Sequence, residues 1–379
     1  MYKKSFLAII LIIMLSSSTM AYTKSTLVSS DTVEDRLIYV LQNVADGWES
    51  SPVISTTKTL LDFAGNYYTL AEYTPSGYAI YHNSSATVLE KSEHSPSPYY
   101  GLNENLYYSG PTHYYVYDTE LNKYIHTITG ECLDIEESLM RESLCAAAQV
   151  TLNNTANTSI KSYVESGVMT SSIDLLESSN AYTYVGNHRS FFENLDTNSM
   201  IGYYDTGNNS GYCGYIAAGL VLLYYDYYHN DNFINNTAYL SSSGSSFNGN
   251  SFTRYLYNDI GLGTLAYTNE LNAVQAARVM QTYLQNKRNI TISYWEKTAP
   301  SKANVVDQLQ QARPVIYCDR WDDPSSPGST VDHVIVIYGY DSNNNLIAHF
   351  GWANFSHVEC SSDALALFLS SASAITSYS

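Results

Sequence analysis

Cys213 stands where a thiol could act as a nucleophile. It follows Ser210-Gly211-Tyr212 and opens an apolar stretch whose spacing predicts a helix to about Tyr228. The N–H groups at a helix N-terminus carry partial positive charge and favour the thiolate, which is the form that attacks a carbonyl carbon. The neighbouring glycines would leave room for a substrate and for backbone N–H groups facing an oxyanion. A Cys-Gly pair alone is more often structural, so the motif needs a partner.

His333 is the candidate partner. It begins an apolar run to Tyr340, which predicts a strand, and a loop rich in Asp, Ser and Pro precedes it. A strand end can hold a general base rigidly while its ring faces a cleft. The pair predicts that His333 takes the proton of Cys213, that the thiolate attacks a carbonyl, and that the imidazolium protonates the leaving group.

The elements around these residues are typical of an α+β domain. A second helix is predicted around Ala276 to Tyr283, and a third follows Ser301 as its N-cap. Strands come after the helices, which favours an antiparallel sheet. The predicted strands are 314–317, 333–340, 346–350 and 355–360.

The first half of the chain has a β-like pattern. Strands are predicted at 66–73, 78–82 and 87–90, with turn residues between them. Helices are predicted at 31–45 and 56–64. The Ser-, Asn- and Thr-rich stretch from about 135 to 185 predicts mostly linker, with a short helix near 159–169. We therefore divide the chain at about residue 180, into 22–180 and 181–379.

The N-terminus has the pattern of an export signal. Lys3 and Lys4 precede an apolar run from Phe6 to Leu15, and Thr19-Met20-Ala21 fits a small-residue cleavage site. Residues 1–21 are thus predicted to be a signal peptide, and a retained anchor is disfavoured because the apolar run is short for a bilayer. The mature chain is expected to be secreted, extracellular or at the cell surface, with no membrane span.

Composition excludes some classes of partner. The formal net charge is −18, and no cluster of Lys and Arg exists that could neutralise a row of phosphates. Nucleic-acid binding is therefore disfavoured. Asp319, Asp322, Asp323 and Asp332 do not match the spacing of a calcium loop, so we expect no metal and no cofactor.

The number of cysteines in the chain is odd. Five cysteines leave at least one outside any disulfide. Cys318 and Cys360 fall on strands predicted to be neighbours and could pair. The pairing of Cys132 and Cys145 stays open.

Two motifs resemble a known family. They are GYCGYIAAGLVLLYYD around Cys213 and DHVIVIYGYDSNNNLIAHFGW around His333. Both resemble papain-like cysteine peptidases, in particular the streptopain-like branch and related peptidases of Gram-positive bacteria, over about 181–379. The resemblance implies a nucleophile helix packed on an antiparallel sheet, and a secreted endopeptidase with protein or peptide substrates. More weakly, 22–180 resembles a small α+β pro-domain that acts as an intramolecular inhibitor until its removal. We expect a monomer.

The resemblance also suggests roles for other residues. Papain-like enzymes place an Asn one strand beyond the base, and here His349 occupies that position. A neutral imidazole can accept a hydrogen bond from His333, although Asn354 or a backbone carbonyl could instead orient the base. The usual oxyanion-donor position holds Gly207, so the neighbouring Asn208 and Asn209 are candidates, unless they are ordinary loop residues.

Other functions remain open on the same scaffold. Cell-wall peptide hydrolysis and transpeptidation use the same acyl transfer, and the motif glycines do not separate them. A noncatalytic adhesin or inhibitor is a further alternative. The presence of both Cys213 and His333 argues against it.

Overall fold

The chain is described here from a computed structural model. It covers residues 32–133, 135–154, 156–167, 181–195, 212–235, 239, 249–267, 271–323, 326–361, 364 and 369–379. The predicted signal peptide, residues 1–21, lies outside them. Below, the N-terminal part is residues 32–167 and the C-terminal part begins at residue 181.

The N-terminal part consists mainly of short strands with helices at both ends. Its elements are α1 Val33–Val44, β1 Val53–Leu61, β2 Tyr67–Thr74, β3 Tyr78–His82, β4 Thr87–Ser92, β5 Leu106–Tyr108, β6 Tyr114–Asp118, β7 Lys123–His126, β8 Cys132–Leu133, α2 Ile135–Asn154 and α3 Thr158–Ser166.

Two predictions for this part are wrong. Of the predicted helix at 56–64, residues 56–61 belong to β1, because their threonines favour extended backbone and β2 satisfies their ladder hydrogen bonds. Much of the predicted linker is α2, a helix of 20 residues. It contains neither Gly nor Pro and is rich in strong helix formers, but its polar composition hid the helical period.

The C-terminal part contains the three predicted helices, and most of its strands follow them. Its elements are β9 Thr183–Tyr184, α4 Arg189–Glu193, α5 Cys213–Tyr228, α6 Gly249–Tyr255, α7 Ala273–Tyr283, β10 Ile292–Thr298, α8 Lys302–Gln310, β11 Val315–Asp323, β12 Ser326–Tyr340, β13 Leu346–His349, β14 Val358–Cys360 and β15 Leu369–Tyr378. Ser301 caps α8 as predicted, because its hydroxyl accepts the N–H of Asn304 and the Asn304 side chain accepts the N–H of Ser301.

One sheet runs through both parts. The strand order is β10-β15-β11-β12-β13-β14-β4-β3-β2-β1-β5-β6-β7-β8, with β9 beside β12. Among the described strands, neighbours are antiparallel except β1 and β5. The α+β prediction is confirmed. The junction is the pairing of β14 with β4, where Cys360 lies opposite Glu90. The two predicted domains therefore share a continuous sheet.

The core is also shared. The apolar side of α5 packs on β11 and β12, and the same cluster of buried residues includes Tyr78, Tyr108 and Tyr114 of the N-terminal part. A second, smaller cluster lies where α1 and α3 cover β2 and β3. No helix in the described ranges has the length and hydropathy needed to cross a bilayer.

The cysteines form no disulfide, although all five lie among the described residues. The suggested pairing of Cys318 with Cys360 is wrong. Cys318 is on β11 and Cys360 on β14, and β12 and β13 lie between these strands. The sequence showed that both were in strands but not the order of the strands in the sheet.

Candidate active site

Cys213 is the first residue of α5, as predicted. Tyr212 precedes the helix and offers no side-chain cap, while its carbonyl accepts the N–H groups of Tyr215 and Ile216, both at 3.0 Å. The first N–H groups of a helix have no partner within the helix, so the thiol stands at its partially positive end. The helix packs on β12, the strand that carries His333.

Gly214 has a packing role. A Cβ atom at this position would lie 2.6 Å from the Cβ of Leu271. The glycine therefore allows α5 to approach Leu271 closely.

The ring of His333 is fixed by two contacts. Its Nε2 donates a hydrogen bond to the carbonyl oxygen of Phe350 at 2.6 Å. The Trp352 ring stacks on it, with 4.2 Å between centroids and 27° between planes. Because a carbonyl only accepts, Nε2 carries the hydrogen, and Nδ1 is left as the basic atom. This is the tautomer that a general base needs.

The turn after β13 connects this ring to the helix of Cys213. Phe350 donates its N–H to the carbonyl of Phe355 at 2.9 Å, and Gly351 has a φ of 76°. A Cβ atom on Gly351 would lie 3.4 Å from Cγ2 of Ile216, which is in the first turn of α5. The Phe350–Trp352 turn thus contacts both His333 and the nucleophile helix.

His349 does not accept the hydrogen bond of His333. It lies opposite Val336 in the β12–β13 pair. Since side chains alternate along a strand, Val336 and His349 share one face and His333 lies on the other. The Nδ1 of His349 instead accepts the N–H of Gly351 at 2.9 Å. His349 thereby braces the turn that presents the Phe350 carbonyl.

Of the three groups considered for orienting the base, the backbone carbonyl is the one that contacts it. Asn354 is exposed, in the turn that follows Trp352, with a φ of 65°. Asn208 and Asn209 lie outside the described residues, so their role as oxyanion donors stays a prediction. Among the described residues, no cluster of His, Cys, Asp and Glu could hold a metal ion.

Rings of the N-terminal part pack beside Trp352, the indole that stacks on His333. His126 lies 5.4 Å from Trp352 between ring centroids, and Tyr114 lies 6.3 Å from it. Cys213 and His333 are each only 5% exposed. Both side chains are therefore largely shielded from solvent in this structure. Sequence reasoning missed these two rings, because nothing local to β6 or β7 links them to His333 and Trp352, more than 200 residues further on.

Burial also changes the proton affinity of the base. It lowers the pKa of His333 to about 3, the backbone bond to Phe350 partly opposes this shift, and nearby His126 adds to it. Burial likewise lowers the pKa of His349 to about 3. Both rings are therefore neutral, and the covered site disfavours the imidazolium that a thiolate–imidazolium pair requires.

One of three comparisons with known proteins bears on the class of protein. Residues 178–361, which include Cys213, His333 and His349, match the Peptidase_C39 like family. A solved fragment of Prevotella intermedia prointerpain A is similar over 84% of this chain and 98% of its own, with 12% identity and a TM-score of 0.39. A search of curated proteins finds no relative that matches the chain. The family match supports a peptidase of the cysteine class, and membership of the streptopain-like branch stays a prediction.

Proposed function

We propose that the chain is the precursor of a secreted cysteine endopeptidase, with Cys213 as nucleophile and His333 as base. The observation that carries the proposal is the Phe350–Trp352 turn. The carbonyl of Phe350 accepts a hydrogen bond from Nε2 of His333, and the indole of Trp352 stacks on the His333 ring. Gly351, between them, lies next to Ile216 in the first turn of α5. A thiol at a helix start and an oriented imidazole are the two parts that acyl transfer through a thiolate needs.

The chemistry follows from the tautomer. The Nδ1 of His333 accepts the thiol proton of Cys213, and the thiolate attacks the peptide carbonyl. The imidazolium then gives its proton to the leaving amine, and water releases the acyl group in a second step. The Phe350 carbonyl keeps the hydrogen on Nε2 throughout and stabilises the charged ring.

The N-terminal part acts as an inhibitor of this site. Support comes from the burial of Cys213 and His333, and from the ring contacts of His126 and Tyr114 with Trp352. Removing these rings would re-expose His333 and return its pKa toward the ordinary value of about 6.5, where a base can work at neutral pH. Export rests on the sequence pattern of residues 1–21.

Labelling of thiols tests the assignment. At about pH 6 an ordinary thiol is almost wholly protonated and reacts slowly, whereas an activated thiolate reacts. We expect iodoacetamide to label Cys213 first in the processed form, with the labelled residue identified by mass spectrometry. Slow labelling of Cys213 in an exposed site would contradict a catalytic thiol.

Comparison of precursor and processed protein tests the inhibitory role. The precursor should hydrolyse casein much more slowly than the isolated C-terminal part, and Cys213→Ala precursor should stay uncut if processing is autocatalytic. Equal activity of the two forms would make the N-terminal part an accessory domain.

A further inference from the structure

The loop between β13 and β14, residues 350–357, begins with the Phe350–Trp352 turn. The start of the loop is tied back on itself, because Phe350 donates its N–H to the carbonyl of Phe355 at 2.9 Å and Phe355 donates to the carbonyl of Trp352 at 3.2 Å. The position of the Phe350 carbonyl therefore depends on what holds the end of the loop.

The end of this loop is bound to α4. The hydroxyl of Ser356 donates to the backbone carbonyl of Glu193, the last residue of α4, at 2.9 Å. The Nδ1 atom of His357 lies 2.8 Å from the Glu193 carboxylate. Because a carboxylate only accepts hydrogen bonds, this nitrogen carries the hydrogen. Glu193 thus holds two successive residues of the loop, one through its backbone and one through its side chain.

Tyr338 of β12 belongs to the same network. Its hydroxyl oxygen lies 2.7 Å from Nδ1 of His357, and its hydroxyl donates to the carbonyl of Ser356 at 3.0 Å. The strand β12 also carries His333. The end of the loop is therefore attached both to α4 and to the strand of the base.

The helix α4 is itself held between β12 and the nucleophile helix. Phe192 is fully buried, and its ring stacks on Tyr338 with 4.4 Å between centroids and 15° between planes. On α5, the ring of Tyr224 stacks on Phe192 with 5.4 Å between centroids and 23° between planes. Such ring pairs have a preferred geometry, so they fix α4 relative to both elements.

The Glu193 carboxylate is charged where it meets the loop. Burial alone would raise its pKa, but the hydrogen bonds and charges of His357 and Arg189 outweigh burial and lower the pKa. The Nε of Arg189 donates to the carboxylate at 2.5 Å. Hydrogen bonds to an ionised acceptor are stronger than those between neutral groups, so this contact suits an anchor.

We propose that Glu193 is a positioning residue of the active site, which holds the β13–β14 loop so that the Phe350 carbonyl meets Nε2 of His333. The proposal rests on the proposed function, because Glu193 contributes to catalysis only if His333 is the base. In this role Glu193 acts through the loop and not on the reacting atoms.

The imidazole N–H of His333 tests this positioning without any need for activity. In full-length Cys213→Ala protein with isotope-labelled histidine, NMR detects the Nε2–H signal, and its loss in His333→Gln identifies it. Glu193→Ala should shift this signal upfield and speed its exchange with water, because a looser turn lengthens the bond to Phe350. Glu193→Gln keeps an acceptor oxygen for His357 and should shift the signal less.

Glu72→Ala is the matched control for the loss of a paired carboxylate. The Glu72 side chain is 13% exposed, against 16% for Glu193, and it forms an ion pair of 2.7 Å with Lys58 in the N-terminal part. This variant should leave the His333 signal unchanged. If Glu193→Ala does not fold, Ser356→Ala removes only the hydroxyl bond to α4 and should give a smaller shift in the same direction.

Kinetics of the processed form give a second test. Glu193→Ala should lower kcat by up to about 100-fold and change KM little, because a misplaced base slows the chemical step more than it weakens substrate binding. The control is Glu296→Ala, because Glu296 is an exposed residue of β10 in the same part. Its kcat should match that of the parent.

Three results would overturn the proposal. They are an unshifted His333 signal in folded Glu193→Ala protein, a shift of equal size in Glu72→Ala, and an unchanged kcat in processed Glu193→Ala. If the processed parent hydrolyses no peptide but the His333 signal responds as expected, the proposed function fails and the positioning of the loop by Glu193 stands.

Discussion

The Nε2 atom of His333 and the carbonyl oxygen of Phe350 are joined by a hydrogen bond of 2.6 Å. Their separation in sequence is that of a strand, a turn and a returning strand. The base is thus oriented by backbone, which a side-chain substitution cannot remove directly. Variants that move the Phe350–Trp352 turn are therefore the ones that should disturb His333.

Loss of the thiol should abolish hydrolysis. Cys213→Ala is expected to reduce kcat/KM on a peptide substrate at least about a thousandfold, because the acyl intermediate forms on its sulfur. Its thermal unfolding should stay close to that of the parent chain. Cys132→Ala is the control for removal of a cysteine, since Cys132 is exposed and belongs to the N-terminal part. Normal activity in Cys213→Ala would end the assignment of this site.

Processing should also change which cysteine reacts with a thiol reagent, from Cys132 to Cys213. In the precursor, a thiol reagent should label exposed Cys132 and spare buried Cys213. Once the N-terminal part has been removed, Cys213 should become the reactive thiol. Mass spectrometry of the labelled peptides gives both results in one experiment. Rapid labelling of Cys213 in the intact precursor would show that the covering rings do not close the site.

His349 should tolerate Asn better than Ala. The side-chain oxygen of Asn commonly accepts the N–H two residues further on, which is the bond that Nδ1 of His349 makes to Gly351. His349→Ala leaves that buried donor without its partner, so we expect a loss of about 1–3 kcal/mol in the free energy of unfolding and a large fall in kcat/KM.

Asn354→Ala is the matched comparison, because Asn354 is exposed and should matter little. Thermal unfolding and kcat/KM of the three variants check these expectations. A severe loss confined to Asn354→Ala would mean that Asn354, and not the Phe350 carbonyl, orients the base.

A methyl group on Gly351 should harm catalysis more than stability. The residue has a φ of 76°, so Gly351→Ala costs roughly 1–2 kcal/mol of backbone strain, and its Cβ would lie in contact with Ile216 at 3.4 Å. Moving this turn shifts the Phe350 carbonyl and Trp352 away from His333. Gly65→Ala is the control, because Gly65 has a φ of 84° and nothing within 4 Å of the added carbon. Equal kcat/KM for both variants would show that the turn does not position the base.

Glu90 should make stability fall as pH rises. Burial raises its pKa to about 7, and the hydroxyls of Tyr114, Tyr78 and Tyr108 partly oppose the shift. The folded chain therefore keeps a proton that the unfolded chain releases, so stability is lost between about pH 4.5 and about pH 7. The shift corresponds to about 3 kcal/mol at most.

Glu90→Gln should remove this loss. In a Cys213→Ala background, urea unfolding at about pH 5 and about pH 8 should show the variant gaining stability over its parent only at the higher pH. Glu104→Gln is the control, because Glu104 is exposed. The same difference from the parent at both pH values would mean that Glu90 does not hold the proton.

The amino-acid sequence by itself determined the local features of this protein. The period of the apolar residues identified α5, α7 and the hairpins of the N-terminal part, because a helix or strand that buries one face must repeat at 3.6 or 2 residues. Ser301 predicted the start of α8, because a serine there can cap the helix N-terminus. The types and order of Cys213 and His333 indicated the kind of reaction, since few residue pairs can perform it.

Only the tertiary structure decided what depends on register and on distant contacts. The position of His349 in the chain suited an orienting role, but its register opposite Val336 puts it on the other face from His333. Strand order separated Cys318 from Cys360. The pairing of β4 with β14 brought the rings of the N-terminal part over Trp352. These relations arise from packing between segments far apart in the chain, and local sequence patterns carry no information about which distant segments will meet.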